Sequence, residues 1–409
     1  MIHSLIKAKA EVKLAALKAI LRVVAPPRPF VIMGENASLE LCDNISMLDA
    51  KRVLVVTDSI LYELGVATPI ITKLEEKGVD CSVFSGVTPD PSLSVVSEGL
   101  NALLRFKADA VLAVGGGSSI DTAKVIACAA ANDCKPESLI GVFKAKRHSL
   151  PLFVVPTTAG TGSEVTMGAV ISDDKDHVKS LVIDPKIVPL AVALDPVIMK
   201  GMPPNITADT GLDALTHALE AWLSEMASPE SDRYAETSIK LIFKYLLLAY
   251  QDGENIEARK AMALASHYAG LAINKAGIGY VHAIAHQFGS LYGVSHGRAN
   301  AIVLPSVLEF NKKVSAKRLA KLAETLNFVK SGASIDMASN AFILCTKRLI
   351  ADLNVDMSVP GIKTEDFNKI SSAAFAEAHG TYAVPKYMKK DDIKSILQAI
   401  SSNKVQPVS

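Results

Sequence analysis

A charge imbalance is missing from this chain: 43 Lys and Arg stand against 42 Asp and Glu in 409 residues, a formal net charge of +1. Such a balance sets up no basic field that would draw nucleic acid or steer a polyanion, so nucleic-acid partners are not expected. Cysteine is scarce as well. Cys42, Cys81, Cys128, Cys134 and Cys345 are odd in number, scattered and without a CxxC pair. That excludes a disulfide framework and a zinc finger and fits free thiols in a reducing compartment. Long apolar runs are absent too: none reaches the roughly 20 residues that span a bilayer as a helix, so no transmembrane segment is expected and the location reads as cytoplasmic.

What the chain does have is length, and 409 residues favour two domains over one. Between Pro29 and Pro196 the apolar runs RVLVVTD, CSVFSG, AVLAVGGGS and LFVVPTTAGTGSE alternate with helical stretches. This is the pattern of an α/β domain with a doubly wound, largely parallel sheet. Its strands, such as Val53 to Val56 and Val111 to Val114, are continuously apolar, as strands covered on both faces should be. After DPVIMKGMPPN the periodicity turns helical, with long segments over Asp209 to Leu223, Ser231 to Leu248, Ile256 to Lys275 and Ala338 to Leu353. The expected organisation is an α/β domain over 29–200 and an all-helical domain over 201–409, preceded by an extension, 1–28. In that extension Lys7, Lys9, Lys13, Lys18 and Arg22 interleave with Leu, Ile and Ala up to Pro26 and Pro27, which predicts a basic amphipathic helix. It would dock on its own domain or a neighbouring subunit; a transit peptide or a membrane-surface helix is the alternative.

Two loops invite a nucleotide. In GGGSSIDTAK, residues 115–124, Gly115, Gly116 and Gly117 follow a strand and open a helix, which leaves backbone N–H groups bare to an anion. Ser118 and Asp121 are spaced to close a capping box there. In PTTAGTGSE, residues 156–164, Thr157, Thr158, Gly160, Thr161 and Gly162 allow close approach to a ligand. Asp58, at the carboxyl edge of the sheet, either accepts a ribose hydroxyl, which favours NAD over NADP, or caps the next helix.

A second constellation invites a metal. Asp213 and His217 are four apart in TGLDALTHALEAWLS, hence on one helix face. His282 and His286 repeat that spacing in VHAIAHQFGSLYGVSH, and His296 follows past a turn. One carboxylate and several imidazoles from two helices make a plausible set for a divalent transition metal with room for substrate or water. If three of the four histidines join Asp213, the fourth is left for substrate or proton transfer, and His286 suits that work. His267 reads as structural, and His3, His148 and His177 as ordinary exposed residues.

GGGSSIDTAK, PTTAGTGSEVT, TGLDALTHALEAWLS and GYVHAIAHQFGSLYGVSHGRANAIVLP, in that order, resemble the iron-containing (group III) alcohol dehydrogenase family from about Pro29 to Ile400. The resemblance implies a dehydroquinate synthase-like architecture, an NAD-binding α/β domain followed by a helical metal domain. It implies a metal on Asp213, His217, His282 and His296, with iron favoured over zinc, and His286 beside the nicotinamide and substrate. It further implies pyrophosphate held by Gly115, Gly116, Gly117, Ser118 and Ser119. Thr157, Thr158 and Lys179 would line the rest of the cofactor groove, and Asp58 would face the adenine ribose. At least a homodimer is implied as well. Two departures bear on the substrate pocket: Val384, Pro385 and Lys386 stand where members often carry Asn-Pro-Arg, and Met167 and Gly168 where others place larger polar groups.

The implied activity is hydride transfer between a small alcohol or diol and NAD, with the metal acting as Lewis acid on the substrate oxygen. One alternative is a dehydroquinate synthase-like lyase that uses NAD transiently. Its polyanionic substrate would want a Lys and Arg cluster that the segments near Asp213 and His282 lack. The other is a non-catalytic NAD-binding subunit. Primary alcohols, diols and hydroxy acids are all admitted as substrates.

Overall fold

The computed structural model describes residues 27–174 and 179–402; the basic segment expected to form an N-terminal helix lies outside them, as do His3 and His177. Two compact units emerge. One comprises residues 27–202 together with Gly253–Gly270, the other Pro203–Asp252 together with residues 271–402.

The first unit is built on a parallel sheet of β1 (Phe30–Met33), β2 (Arg52–Asp58), β3 (Asp80–Val87), β4 (Ala110–Gly115), β6 (Leu152–Pro156) and β9 (Ala191–Leu194). The strand order is β1-β9-β6-β4-β2-β3, and every neighbouring pair is parallel. Alternation along the strands divides the buried side chains between two faces. Val53, Val55, Leu112, Val114, Phe153 and Val155 pack with Leu41 and Ile45 of α1 (Ala37–Met47) and with Ile70 and Leu74 further along. Helix α2 (Ser59–Glu63) follows β2, and α3 (Thr68–Glu76) carries those last two residues. Leu54, Val56, Val111, Ala113, Leu152 and Val154 are equally buried on the other face, which α4 (Leu93–Phe106) and α5 (Gly117–Asn132) cover. Each such aliphatic side chain contributes about 1.5–3 kcal/mol by leaving water. A doubly wound α/β sheet is thus the fold of this part of the chain.

Strand order also locates the ligand edge. From β2 the chain steps outward to β3, then returns to place β4 on the other side of β2. The carboxyl ends of β2 and β4, at Asp58 and Gly115, therefore flank a topological switch point, where open α/β sheets bind ligands. A second sheet, of β5 (Gly141–Val142), β8 (Lys179–Ile183) and β7 (Gly168–Ser172), has β7 and β8 antiparallel. Its strands are too short, and two of them too glycine-marked, to stand out in the sequence.

From residue 204 the chain is helical: α6 (Pro204–Leu223), α7 (Pro229–Gln251), α8 (Ile256–Ala276), α9 (Tyr280–Tyr292), α10 (His296–Thr325), α11 (Ile335–Asp352), α12 (Phe367–Ala378) and α13 (Lys390–Ser401). Helix α6 is buried almost all round from Thr207 to Leu223 and packs on α7 and α10. A helix apolar on every side belongs in a core. Gly211 admits α7: a Cβ there would lie 2.2 Å from Leu246 Cδ1. No described helix is long and apolar enough to cross a membrane.

Candidate metal centre

Three chain segments of the helical unit converge. Helix α6 presents Asp213, His217 and, one turn further, Glu220; α9 presents His282 and His286; α10 opens at His296. Gly293, at φ 65°, ends α9 in the left-handed region, and two residues later Ser295 Oγ donates to Asp209 Oδ2 at 2.6 Å. Gly297 then lets the first turn of α10 touch the backbone of α6, since a Cβ there would lie 2.1 Å from the Asp209 carbonyl oxygen. That contact is what brings His296 to Asp213. Around the carboxylate, His296 Nε2 lies 3.4 Å from Oδ1, His282 Nε2 3.7 Å from Oδ1 and His217 Nδ1 3.9 Å from Oδ2. Each of the four residues offers a ligand atom, all within 4.8 Å of one another, and only His296 is not buried.

The surroundings suit a cation. Glu220 accepts from the Gly279 and Val281 amides, both at 2.7 Å, and faces His282 Nδ1 at 2.6 Å. An ionised carboxylate only accepts, so Nδ1 keeps its hydrogen on Glu220 and Nε2 is the nitrogen that faces Asp213. Nε2 facing a carboxylate across 3.7 Å favours positive charge there, carried by a proton or by a metal ion that displaces it. Burial alone would raise the Asp213 carboxyl, but His217, His296 and His282 hold it far below the ordinary carboxylate range. Burial alone would lower His282; Glu220 and Asp213 outweigh it and lift the imidazole to about 9. Asn300, one turn beyond His296, donates from Nδ2 to Asp213 Oδ1 at 2.8 Å and stands 3.3 Å from Nε2 of both His282 and His296. Three imidazoles and one carboxylate, one ring fixed from outside, fit a divalent transition metal such as iron or zinc.

His286 stands beside this cluster. Its ring stacks on His296 at 5.3 Å between centroids, and its Nδ1 meets Glu377 Oε1 at 2.7 Å. Glu220, Asn300 and Glu377 escaped sequence reading. Signals for two of them exist: Glu220 continues the face of Asp213 and His217 at i+7, and Asn300 follows His296 at i+4. Of the unusual C-terminal residues, Val384 is buried and Lys386 lays its ammonium on the Phe310 ring, 3.8 Å from the centroid.

In the α/β unit the two expected nucleotide loops lie side by side. The Thr157 amide donates to the Gly115 carbonyl at 3.0 Å. A Cβ on Gly116 would lie 3.3 Å from Thr158 Oγ1, and one on Gly117 2.6 Å from Thr161 Cγ2. Ser119 is buried beneath Gly115, while Gly116, Gly117, Ser118 and Thr158 keep partial exposure. Asp58 caps α2, accepting from the Leu61 amide at 2.9 Å. Lys179 directs its ammonium to Asp90 Oδ1 at 2.8 Å.

The Ser118–Asp121 capping box is not formed. Helix α5 begins two residues early, with Gly116 at its N-cap, and Asp121 turns instead to the Ser163 hydroxyl and to the Val170 amide at 2.8 Å. Its neighbour Lys124 is fully buried. Lys124 donates to Ser163 Oγ at 3.0 Å and to the Thr166 and Gly168 carbonyls at 2.9 and 2.7 Å, clamping the PTTAGTGSE loop to α5. Burial pushes its amine down to about 8 against the pull of Asp121 and Glu164. His267, which looks solitary in the sequence, has a partner: its Nδ1 lies 3.2 Å from buried Glu164 Oε1. His148 is exposed.

Comparison with known proteins agrees with this picture. Residues 27–196 match the family model for iron-containing alcohol dehydrogenase, and residues 207–401 that for the Fe-containing alcohol dehydrogenase family, C-terminal. The NAD-dependent methanol dehydrogenase of Bacillus methanolicus is 37% identical over 372 residues, which is 90% of this chain and 97% of that protein. The 1,3-propanediol dehydrogenase of Citrobacter freundii is 36% identical over 369 residues, 89% of this chain and 95% of that one. Among solved structures, an alcohol dehydrogenase from Oenococcus oeni superimposes with a TM-score of 0.88 at 34% identity, covering 91% of this chain and 98% of that one. With both units matched in order, the chain belongs to the iron-containing alcohol dehydrogenase family.

Proposed function

We propose that this protein is a metal-dependent alcohol dehydrogenase that moves hydride between a small alcohol or diol and NAD. The observation that carries the reading is the convergence of Asp213, His217, His282 and His296 within 4.8 Å, with Glu220 fixing one ring from outside. A divalent cation held by these four residues supplies Lewis acidity to the substrate oxygen, which must take on negative charge as hydride leaves carbon. Asp213 brings the single charge of the set, and Asn300 holds its Oδ1. His286, engaged through Nδ1 with Glu377, has Nε2 for the alcohol proton. The groups around the cluster, Glu220, Asn300 and Glu377, are neutral or acidic, which suits an uncharged alcohol and opposes the polyanion of a dehydroquinate synthase-like lyase.

For the cofactor, the amides at the start of α5 meet the pyrophosphate, with Gly116, Gly117 and Ser118 leaving them uncovered and Gly115 and Ser119 shaping the turn beneath. Thr157, Thr158 and Lys179 line the remainder, and Asp58, at the switch point, favours the ribose of NAD over the phosphate of NADP. Iron is the metal favoured, from the family, over zinc. The working form is a cytoplasmic homodimer or larger homo-oligomer, which sedimentation tests.

The reading is tested by NADH formation from the protein reconstituted separately with Fe²⁺ and Zn²⁺, over short alcohols, diols and hydroxy acids, with NADP in parallel. Metal-dependent turnover, faster with NAD, is expected. Tight metal and NAD binding without net NADH from any compound overturns it in favour of the lyase or a non-catalytic subunit.

A further inference from the structure

His286, like His282, has its Nδ1 engaged by a carboxylate, here one from the C-terminal segment. Glu377 Oε1 faces its Nδ1 at 2.7 Å, and the same oxygen accepts the Tyr382 hydroxyl at 2.7 Å. Gln287 Nε2 reaches Oε2 at 3.3 Å. The tyrosine hydroxyl and the glutamine amide both donate here, and the carboxylate accepts only, so the hydrogen between ring and carboxylate belongs to His286 Nδ1. Nε2 is then the one nitrogen able to take a proton. Tyr382 is buried, and burial together with Glu377 raises its hydroxyl well above the ordinary tyrosine range, so it stays a donor. Glu377 itself is partly exposed, and without Tyr382 and Gln287 it would have solvent-side freedom to leave the ring.

We propose that Glu377, locked by Tyr382, is the positioning residue of this dehydrogenase: it holds His286 as the Nδ1–H tautomer, so that Nε2 receives the substrate proton. This rests on the alcohol dehydrogenase reading given above. The step balances simply. With NAD bound to accept the C–H electron pair as hydride, the hydroxyl proton would pass to Nε2 as the alcohol becomes a carbonyl. The resulting imidazolium keeps its Nδ1–H on Glu377 and returns the Nε2 proton to water.

Two readouts test this, one independent of turnover. In metal-free protein carrying ¹⁵N-labelled histidine, with pH raised until the ring signals no longer move, His286 should show a protonated Nδ1 and a bare Nε2. Its signals are assigned by their loss in His286→Asn. In Glu377→Ala the Nε2–H form should take over. In the iron-loaded enzyme Glu377→Ala should lower kcat about 10- to 100-fold, with KM for alcohol and for NAD within about twofold and metal content unchanged. Tyr382→Phe, which keeps the packing and serves if Glu377→Ala does not fold, should lower kcat about three- to tenfold by the same split. Glu377→Gln, whose amide oxygen still accepts from Nδ1, should recover part of the loss. An Nε2–H ring in the parent protein, or parental kcat in Glu377→Ala and Tyr382→Phe, overturns the proposal. An Nδ1–H ring in a parent with no alcohol turnover upholds the positioning and removes the dehydrogenase reading instead.

Discussion

Glu220 is the residue on which the geometry of the cluster most depends, and its substitution can be worked out atom by atom. Three donors meet two oxygens: the Gly279 amide and His282 Nδ1 on Oε2, and the Val281 amide on Oε1. In Glu220→Gln the best orientation keeps the oxygen on the first pair and turns its NH₂ against the Val281 amide. One hydrogen bond becomes a donor facing a donor, which costs about 1–3 kcal/mol. In Glu220→Ala all three bonds go, two of them from the first turn of α9, and about 3–5 kcal/mol is lost. The ring of His282 also loses its anchor, and changes of this kind lower metal affinity about 10- to 100-fold. Urea unfolding of the metal-free variants and metal titration against a chelator measure the two effects. Glutamine should fall between parent and alanine in both. If both variants stay within about 0.5 kcal/mol of the parent and bind metal equally well, Glu220 does not organise the site.

Further outcomes follow from other contacts. His282 is lifted to about 9 in the metal-free protein, so its contribution to stability is complete below about 6.5 and lost as pH rises through 9; about 3 kcal/mol should disappear across that window in urea unfolding. The metal-loaded protein should lack this loss and release protons on metal uptake, because the ion displaces the proton. Gly297→Ala would drive a Cβ to 2.1 Å from the Asp209 carbonyl and part α10 from α6; about 2–4 kcal/mol of stability and at least tenfold in metal affinity should go, whereas Gly201→Ala, with nothing within 4 Å, should change neither. Lys124→Met fills similar space but strands Asp121 and the Thr166 and Gly168 carbonyls; a loss of about 3–5 kcal/mol is expected, with weaker NAD binding by calorimetry.

Why some of this is legible in the sequence and some is not comes down to distance along the chain. The pairs Asp213 and His217, and His282 and His286, announce themselves because four residues make one turn, and continuous apolar runs announce β2, β4 and β6 because both faces of the sheet are covered. His296 needs the turn at Gly293 and the bare backbone of Gly297 to reach Asp213, and neither glycine declares that purpose locally. Glu377 approaches His286 from 91 residues away, a pairing that only tertiary packing creates. The capping box at Ser118 failed for a local reason: Gly116 already starts the helix, which left Asp121 to the neighbouring loop. His267 looked solitary because its partner, Glu164, lies 103 residues upstream.

The central claim is that Asp213, His217, His282 and His296 hold the ion on which alcohol oxidation depends. Elemental analysis of the purified protein and of His282→Ala, followed by NADH formation from each under identical iron reconstitution, tests it most directly. One ion per chain and metal-dependent turnover in the parent, with both lost in the variant, is the expected result. Parental turnover in His282→Ala stripped of metal would contradict the assignment.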